Sequence, residues 1–288
     1  ARLTIGRRKV ESSYLGVLLL ASLVFYSWHI PAYLAVLLGS ATVDYVVALR
    51  IHRLEPHQQA LRRAFLVASL VVNLGLLAFF KYGGFAVRVA EEAAALSGTS
   101  LRLQEFSLVL PMGISFYTFQ TLSYTIDVYR GVLAPLGSFP RFLLFISFFP
   151  QLVAGPIVRA SEFLPQLFVP RALTRADVTR AGALIAGGMF KKVFVSTFIA
   201  AAIVDPVFSV PDRYGSFDVL VAIYGYAVQI YADFSAYTDI AIGVALLLGF
   251  TFPQNFDRPY AAASIQDFWR RWHMTLSRWL RDYLYIPL

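Results

Sequence analysis

The residue best placed for chemistry is His273, in the run Asp267-Phe268-Trp269-Arg270-Arg271-Trp272-His273. Read as one helix, Ile265, Phe268, Trp269, Trp272, Leu276, Trp279, Leu280 and Tyr283 recur at three- and four-residue steps and fall within an arc of about 120°. Arg270, Arg271, Arg278 and Arg281 take the opposite side. His273 stands at the border, beside Gln266 and Ser277 and a turn from Trp269. An imidazole there can be partly desolvated while reaching a polar cavity, the setting that tunes a general base. An interfacial histidine hydrogen-bonded to a neighbour is the plain alternative, and position alone leaves both open.

Asp233 and Asp239 lie inside or beside apolar helices. An unpaired carboxylate is expensive there, and such residues face a bundle interior and find a partner. They could orient a histidine or bind a polar substrate, or be structural carboxylates satisfied by tyrosine hydroxyls, backbone amides or arginine. Six residues apart, they diverge by roughly 120° on an ideal helix and need not share one site. Gln151, Asn255, Asp257 and Arg258 flank proline and glycine breaks, where they could present donors to a developing oxyanion or simply cap loops. His29, His52 and His57 have no metal-ligand spacing and read as surface residues; no metal site is expected. The absence of cysteine excludes thiolate metal sites, disulfides and a thiol nucleophile from this chain.

The elements that must position these groups are membrane helices. Of the 288 residues 58% are hydrophobic and 15% charged, against roughly 25% charged in soluble domains. Mean hydropathy is +0.63. Charge-free runs over Ser12–Val43, Ala64–Phe80, Phe106–Ile126, Phe142–Val158 and Ile240–Phe256 approach or exceed the ~18 to 20 residues of a spanning helix. The net charge of +8 sits in short basic clusters between apolar runs, as the positive-inside rule describes, and nucleic acid is not an expected partner.

Two spans fit between Tyr14 and Arg50, turning at His29-Ile30-Pro31 on the outer side, with basic loops facing the cytoplasm. A third, Ala64–Phe80, exits into an external loop from Lys81 to Glu105, and Phe106–Ile126 returns. Pro150 and Ala154-Gly155-Pro156 interrupt Phe142–Val158. A re-entrant pair of half-helices there would reconcile the topology with the basic loop that follows, a plain span being the alternative. Lys191 and Lys192 divide Ala181–Val204 and mark a kink, an interfacial helix or a cavity wall, because a buried ammonium costs roughly 3 kcal/mol on insertion scales. Spans over Phe217–Ala232 and Ile240–Phe256 follow, linked by residues 233–239. Ser264 and Asp267 are spaced as a capping box at the head of the amphipathic segment, which suits an interface. The expected fold is all-α: a polytopic transmembrane helical protein with re-entrant or broken helices and a C-terminal amphipathic helix. Residues 1–288 read as one membrane domain, truncated at both ends, since there is no initiator Met, signal-peptide pattern or terminating pattern.

Several ordered motifs add a family reading. Phe148-Phe149-Pro150-Gln151-Leu152-Val153-Ala154-Gly155-Pro156-Ile157 resembles the PQL-x-AGPI element of the membrane-bound O-acyltransferase family. The resemblance continues through Tyr231–Gly243, Pro253–Tyr260, Asp267–Ser277 and Arg281–Leu288, about half the chain. The Asp-Phe-Ser-x-Tyr-x-Asp form and the Tyr-Ile-Pro-Leu ending resemble the alginate-acetylating branch more than the D-alanyl-transferring one.

The resemblance implies a multi-pass protein of the bacterial inner membrane. It would pass an acyl group, most simply acetyl, from a cytoplasmic thioester donor such as acetyl-CoA towards hydroxyls of an exported polysaccharide, through a periplasmic acetyltransferase partner. No bound cofactor is implied. His273 matches the first of two family histidines; the second, the principal catalytic one, follows a loop downstream of Tyr-Ile-Pro-Leu, beyond Leu288. Gln151, Asp233, Ser235, Tyr237, Asp239, Asn255, Arg270 and Ser277 fall on the motifs and would line the substrate path. A transporter or flippase also needs midplane charges and broken helices, but predicts two related halves that the sequence lacks. A non-catalytic assembly scaffold would tolerate loss of His273.

Overall fold

The computed structural model describes residues 7–99, 109–169 and 172–287, which are helices and connections with no strand among them. Contacts divide the chain into two compact units: one running to Leu152 and including Arg159–Leu167, the other holding Val153–Val158 and everything from Phe168.

The first unit begins with α1 (Arg7–Ser27) and α2 (Tyr33–Arg53), joined by the expected turn, where Tyr33 N–H donates to Ile30 O at 3.0 Å. Next comes α3 (Gln59–Leu96), which corrects the expected external loop: the helix runs on through Lys81, Arg88, Glu91 and Glu92. At 1.5 Å per residue it is roughly 57 Å long, nearly twice the hydrocarbon core, so its charged end extends past the apolar layer. Helix α4 (Ile114–Tyr129) starts eight residues later than the apolar run suggested, residues 106–108 lying outside the described residues.

The interrupted stretch is broken as expected. It forms α5 (Phe139–Ser147) and the single turn α6 (Phe149–Leu152), followed after an extended segment by α7 (Ala160–Phe163). Nine residues reach only about 14 Å, so α5 cannot cross the core alone. It is buried in protein, with Phe142, Phe145 and Phe148 fully covered and the Tyr124 and Phe142 rings 4.6 Å apart.

A polar knot ties α2, α3 and α4 together. Asp44 is fully buried and accepts from Ser69 Oγ at 2.5 Å and from Asn73 Nδ2 at 2.9 Å to each oxygen; Thr121 Oγ1 donates to Asn73 Oδ1 at 3.2 Å. Sequence reading passed over Asp44 because it sits one residue past a charge-free run.

The second unit is built on two long helices, α8 (Arg175–Ser209) and α9 (Ser216–Leu247). Both revise the sequence reading. The apolar pieces on either side of Lys191 and Lys192 belong to one helix, and the irregularity expected at the lysines is a wide π-type turn that begins at Lys191 and runs to Ser196, with a second at Ala200–Val204. Residues 233–239 are not a linker but the middle of α9, and Ile240–Phe256 is no separate span. Helix α9 ends at Leu247, where Gly249 takes a φ of 82° and Phe250 N–H closes the end on Ala245 O at 2.8 Å.

The two helices run antiparallel and touch backbone to side chain at glycine. A Cβ on Gly188 would stand 2.8 Å from Ala236 O, and one on Gly243 2.9 Å from Ala181 O. Small residues at a crossing let helices approach this closely.

The last segment is also corrected: it is not one helix but α10 (Ile265–Arg271) and α11 (Met274–Leu280), broken at His273. Of the described helices, Tyr33–Arg53, Gln59–Leu96, Arg175–Ser209 and Ser216–Leu247 are long and apolar enough to cross a membrane, and Ser12–Ser27 is a shorter apolar helix. The chain is therefore an all-helical, multi-pass membrane protein.

Candidate functional site

A short irregular segment, residues 250–258, captures the backbone groups that a continuous C-terminal helix would use internally. In such a helix Met274 N–H would donate to Arg270 O and Thr275 N–H to Arg271 O. Instead Met274 N–H donates to Asn255 O at 2.9 Å, Thr275 N–H to Asn255 Oδ1 at 3.2 Å, and Arg271 O accepts from Asp257 N–H at 2.9 Å. The exchange re-pairs Met274 N–H, Thr275 N–H and Arg271 O with the 250–258 segment and stops the helix at His273, whose backbone turns left-handed at φ 44°, ψ 52°. A non-glycine residue in that region is uncommon and is held by its surroundings.

Asn255 is the hub. Fully buried, its Oδ1 lies 3.0 Å from His273 Nδ1 and accepts from Thr275 Oγ1 at 2.8 Å. Thr275 Oγ1 in turn accepts from Ile157 N–H at 3.0 Å. Asn255 Nδ2 donates to Thr238 Oγ1 of α9 at 3.5 Å, and Thr238 Oγ1 donates to Ala154 O at 3.4 Å. Four separate sequence stretches, 154–157, 238, 255 and 273–275, are therefore joined in one hydrogen-bond network centred on the Asn255 side chain.

Aromatic rings wall the imidazole. Phe234 meets it edge-on at 4.8 Å, Phe256 lies nearly parallel at 6.5 Å, and Trp272 packs on Phe256 at 5.0 Å. This half-buried, apolar setting disfavours the charged ring and lowers the His273 pKa from 6.5 to about 4. The side chain is a neutral hydrogen-bonding group at any pH near 7.

The other expected residues separate into groups. Asp239 pairs with Lys191 Nζ at 2.6 Å, and Ser235 Oγ accepts from the same ammonium at 2.9 Å. Asp233 pairs with Lys192 Nζ at 2.5 Å, and the Tyr237 ring lies 5.0 Å from that ammonium. Thus Asp233, Ser235, Tyr237 and Asp239 form two cation clusters on the α8–α9 seam, and neither carboxylate braces His273. Ser277 Oγ donates to Trp269 O at 3.1 Å, supporting the break between α10 and α11. Arg270 is exposed and helps Arg271 hold the Asp267 carboxyl below the ordinary range, the Arg271 hydrogen bond being the larger influence. Ser264 caps α10 as expected, accepting from Asp267 N–H at 3.1 Å. Gln151 belongs to the first unit, where it is fully buried and donates to Phe145 O at 2.5 Å.

Sequence reasoning missed Thr275, Thr238 and Phe234 at the histidine, and the lysines as partners of the aspartates. Each is an ordinary residue type whose role comes from a contact tens of residues away. Among the described residues no group of three or more His, Asp or Glu is placed to hold a metal ion.

A sequence model described as "MBOAT, membrane-bound O-acyltransferase family" matches residues 134–288. Over 275 residues the chain is 40% identical to a probable alginate O-acetylase of Pseudomonas aeruginosa, covering 94% of this chain and 51% of that protein. It is 37% identical over 301 residues to a peptidoglycan O-acetyltransferase of Helicobacter pylori, covering 94% and 55%. A teichoic acid D-alanyltransferase of Bacillus subtilis is 32% identical over 188 residues, covering 62% and 46%. The chain spans about half the length of the curated relatives it matches.

Proposed function

We propose, from the premise that this chain belongs to the membrane-bound O-acyltransferase family, that it supplies part of an O-acyltransferase site in a bacterial inner membrane. The acyl group is acetyl, the donor a cytoplasmic thioester such as acetyl-CoA, and the destination the hydroxyls of an exported polysaccharide, reached through a periplasmic acetyltransferase partner. The observation that carries this reading is the hydrogen-bond network that joins four motif stretches through Asn255, which in turn holds one neutral imidazole.

In the reaction the acceptor oxygen attacks the thioester carbonyl carbon. A C–O bond forms, the C–S bond breaks, the thiolate leaves, and the hydroxyl proton passes to a base. A pKa of about 4 makes His273 a weak proton acceptor but a constant hydrogen-bond acceptor. It orients the hydroxyl, while the second histidine implied by the family resemblance takes the proton.

The test is polysaccharide-bound acetyl in cells carrying the full-length gene, wild type against His273→Ala at matched membrane abundance. Loss of acetyl supports a place for His273 in the acyl path. Unchanged acetylation removes it and favours a scaffolding role for this region.

A further inference from the structure

We propose that Asn255 is the positioning residue of His273, holding the ring with its proton on Nδ1 and its lone pair on Nε2. This rests on the acyl-path reading above.

The argument begins with which end of the Asn255 amide faces the histidine. That atom lies 3.2 Å from Thr275 N–H, which can only donate, so it must be an acceptor and hence the oxygen. Thr275 Oγ1 agrees: it already accepts from Ile157 N–H, so its own proton is free to go to Asn255 Oδ1. At the far end Nδ2 has a hydroxyl acceptor in Thr238, whose proton goes to Ala154 O. The amide cannot flip without setting its NH₂ against the Thr275 N–H.

With an oxygen facing it at 3.0 Å, His273 Nδ1 must carry the proton. The neutral ring then has its lone pair on Nε2 alone, the arrangement a hydroxyl-orienting acceptor needs. The same residue fixes the ring's position, because Asn255 O and Oδ1 hold Met274 and Thr275 and so maintain the left-handed turn at His273.

Charge plays no part in this hold. The charged side chains on the surrounding elements are Asp218, Asp233 and Asp239 on α9, the last two paired with Lys192 and Lys191 of α8, Asp257 and Arg258 in the 250–258 segment, Asp267, Arg270 and Arg271 on α10, and Arg278 on α11. Burial is the whole cause of the lowered imidazole pKa. A carboxylate in place of the amide would accept the same Nδ1 proton and add a stabilising charge to the protonated ring.

Two measurements on the full-length protein test the proposal. In ¹⁵N-histidine-labelled protein, with His273 assigned by difference from His273→Gln, the expected spectrum has a protonated Nδ1 and a bare Nε2 at pH 7. A proton on Nε2 overturns the proposal. The pH midpoint for modification of His273 by diethyl pyrocarbonate, read by mass spectrometry, is expected to rise by at least about one unit in Asn255→Asp. An unmoved midpoint also overturns it. Both readouts are independent of acyl transfer: if they come out as expected while His273→Ala keeps full acetylation, the positioning role stands and the acyl-path reading falls.

Discussion

A half-buried imidazole that stays neutral makes the fold sensitive to acid. The folded His273 pKa of about 4 lies below the ordinary 6.5, so between those values the unfolded chain binds more protons than the folded one. Its contribution to stability is complete above pH 6.5 and is lost as pH falls through about 4. His273→Gln keeps a polar side chain but cannot charge. We expect its unfolding temperature in detergent to fall less than the wild type's between pH 7 and 4, and parallel curves would contradict the buried neutral ring. The residue types of this site were legible: His273 and Asn255 both stood out, one at an amphipathic border and one beside a proline break. The left-handed turn at His273 was not, because helical periodicity describes only i to i+4 bonding and the competing acceptors come from residue 255, 19 and 20 positions upstream of the donors.

The α8–α9 seam shows the same separation at the level of elements. Both lysines and both aspartates read as anomalies in apolar surroundings, yet the sequence offers no rule joining residues that lie 41 and 48 positions apart. Paired, they remove most of the reason to end either helix, and the two helices continue. Lys191→Met leaves Asp239 without its cation, an uncompensated charge that costs on the order of 3 to 5 kcal/mol where it is desolvated. The seam is only partly buried, so a smaller loss is expected here, read as less monodisperse protein in detergent extracts. Lys191→Met combined with Asp239→Leu should recover much of it. A double variant no better than the single one would show that the pair is not what sustains the seam.

For the molecule as a whole, the positive-inside reading places the α1–α2 turn outside and the loop between α2 and α3 in the cytoplasm. With no cysteine in the 288 residues, single substitutions can report each side. Trp28 is 84% exposed in the turn and Glu55 is exposed in the loop. In the full-length protein cleared of any other cysteine, Trp28→Cys should react with an impermeant maleimide in cells whose outer membrane has been made permeable, and Glu55→Cys only once the inner membrane is opened. The reverse pattern would invert the topology.

What the sequence by itself determined is what adds up locally or survives as a string. Hydropathy summed along a run placed the chain in a membrane, and ordered motifs placed it in an acyltransferase family. Tertiary structure alone decided where helices continue and where they stop. A charged residue interrupts a span only if nothing neutralises it, and a helix persists only while no other segment takes its backbone groups. Lys191 and Lys192 met their partners on α9 and α8 ran on; His273 met Asn255 and the final helix broke there.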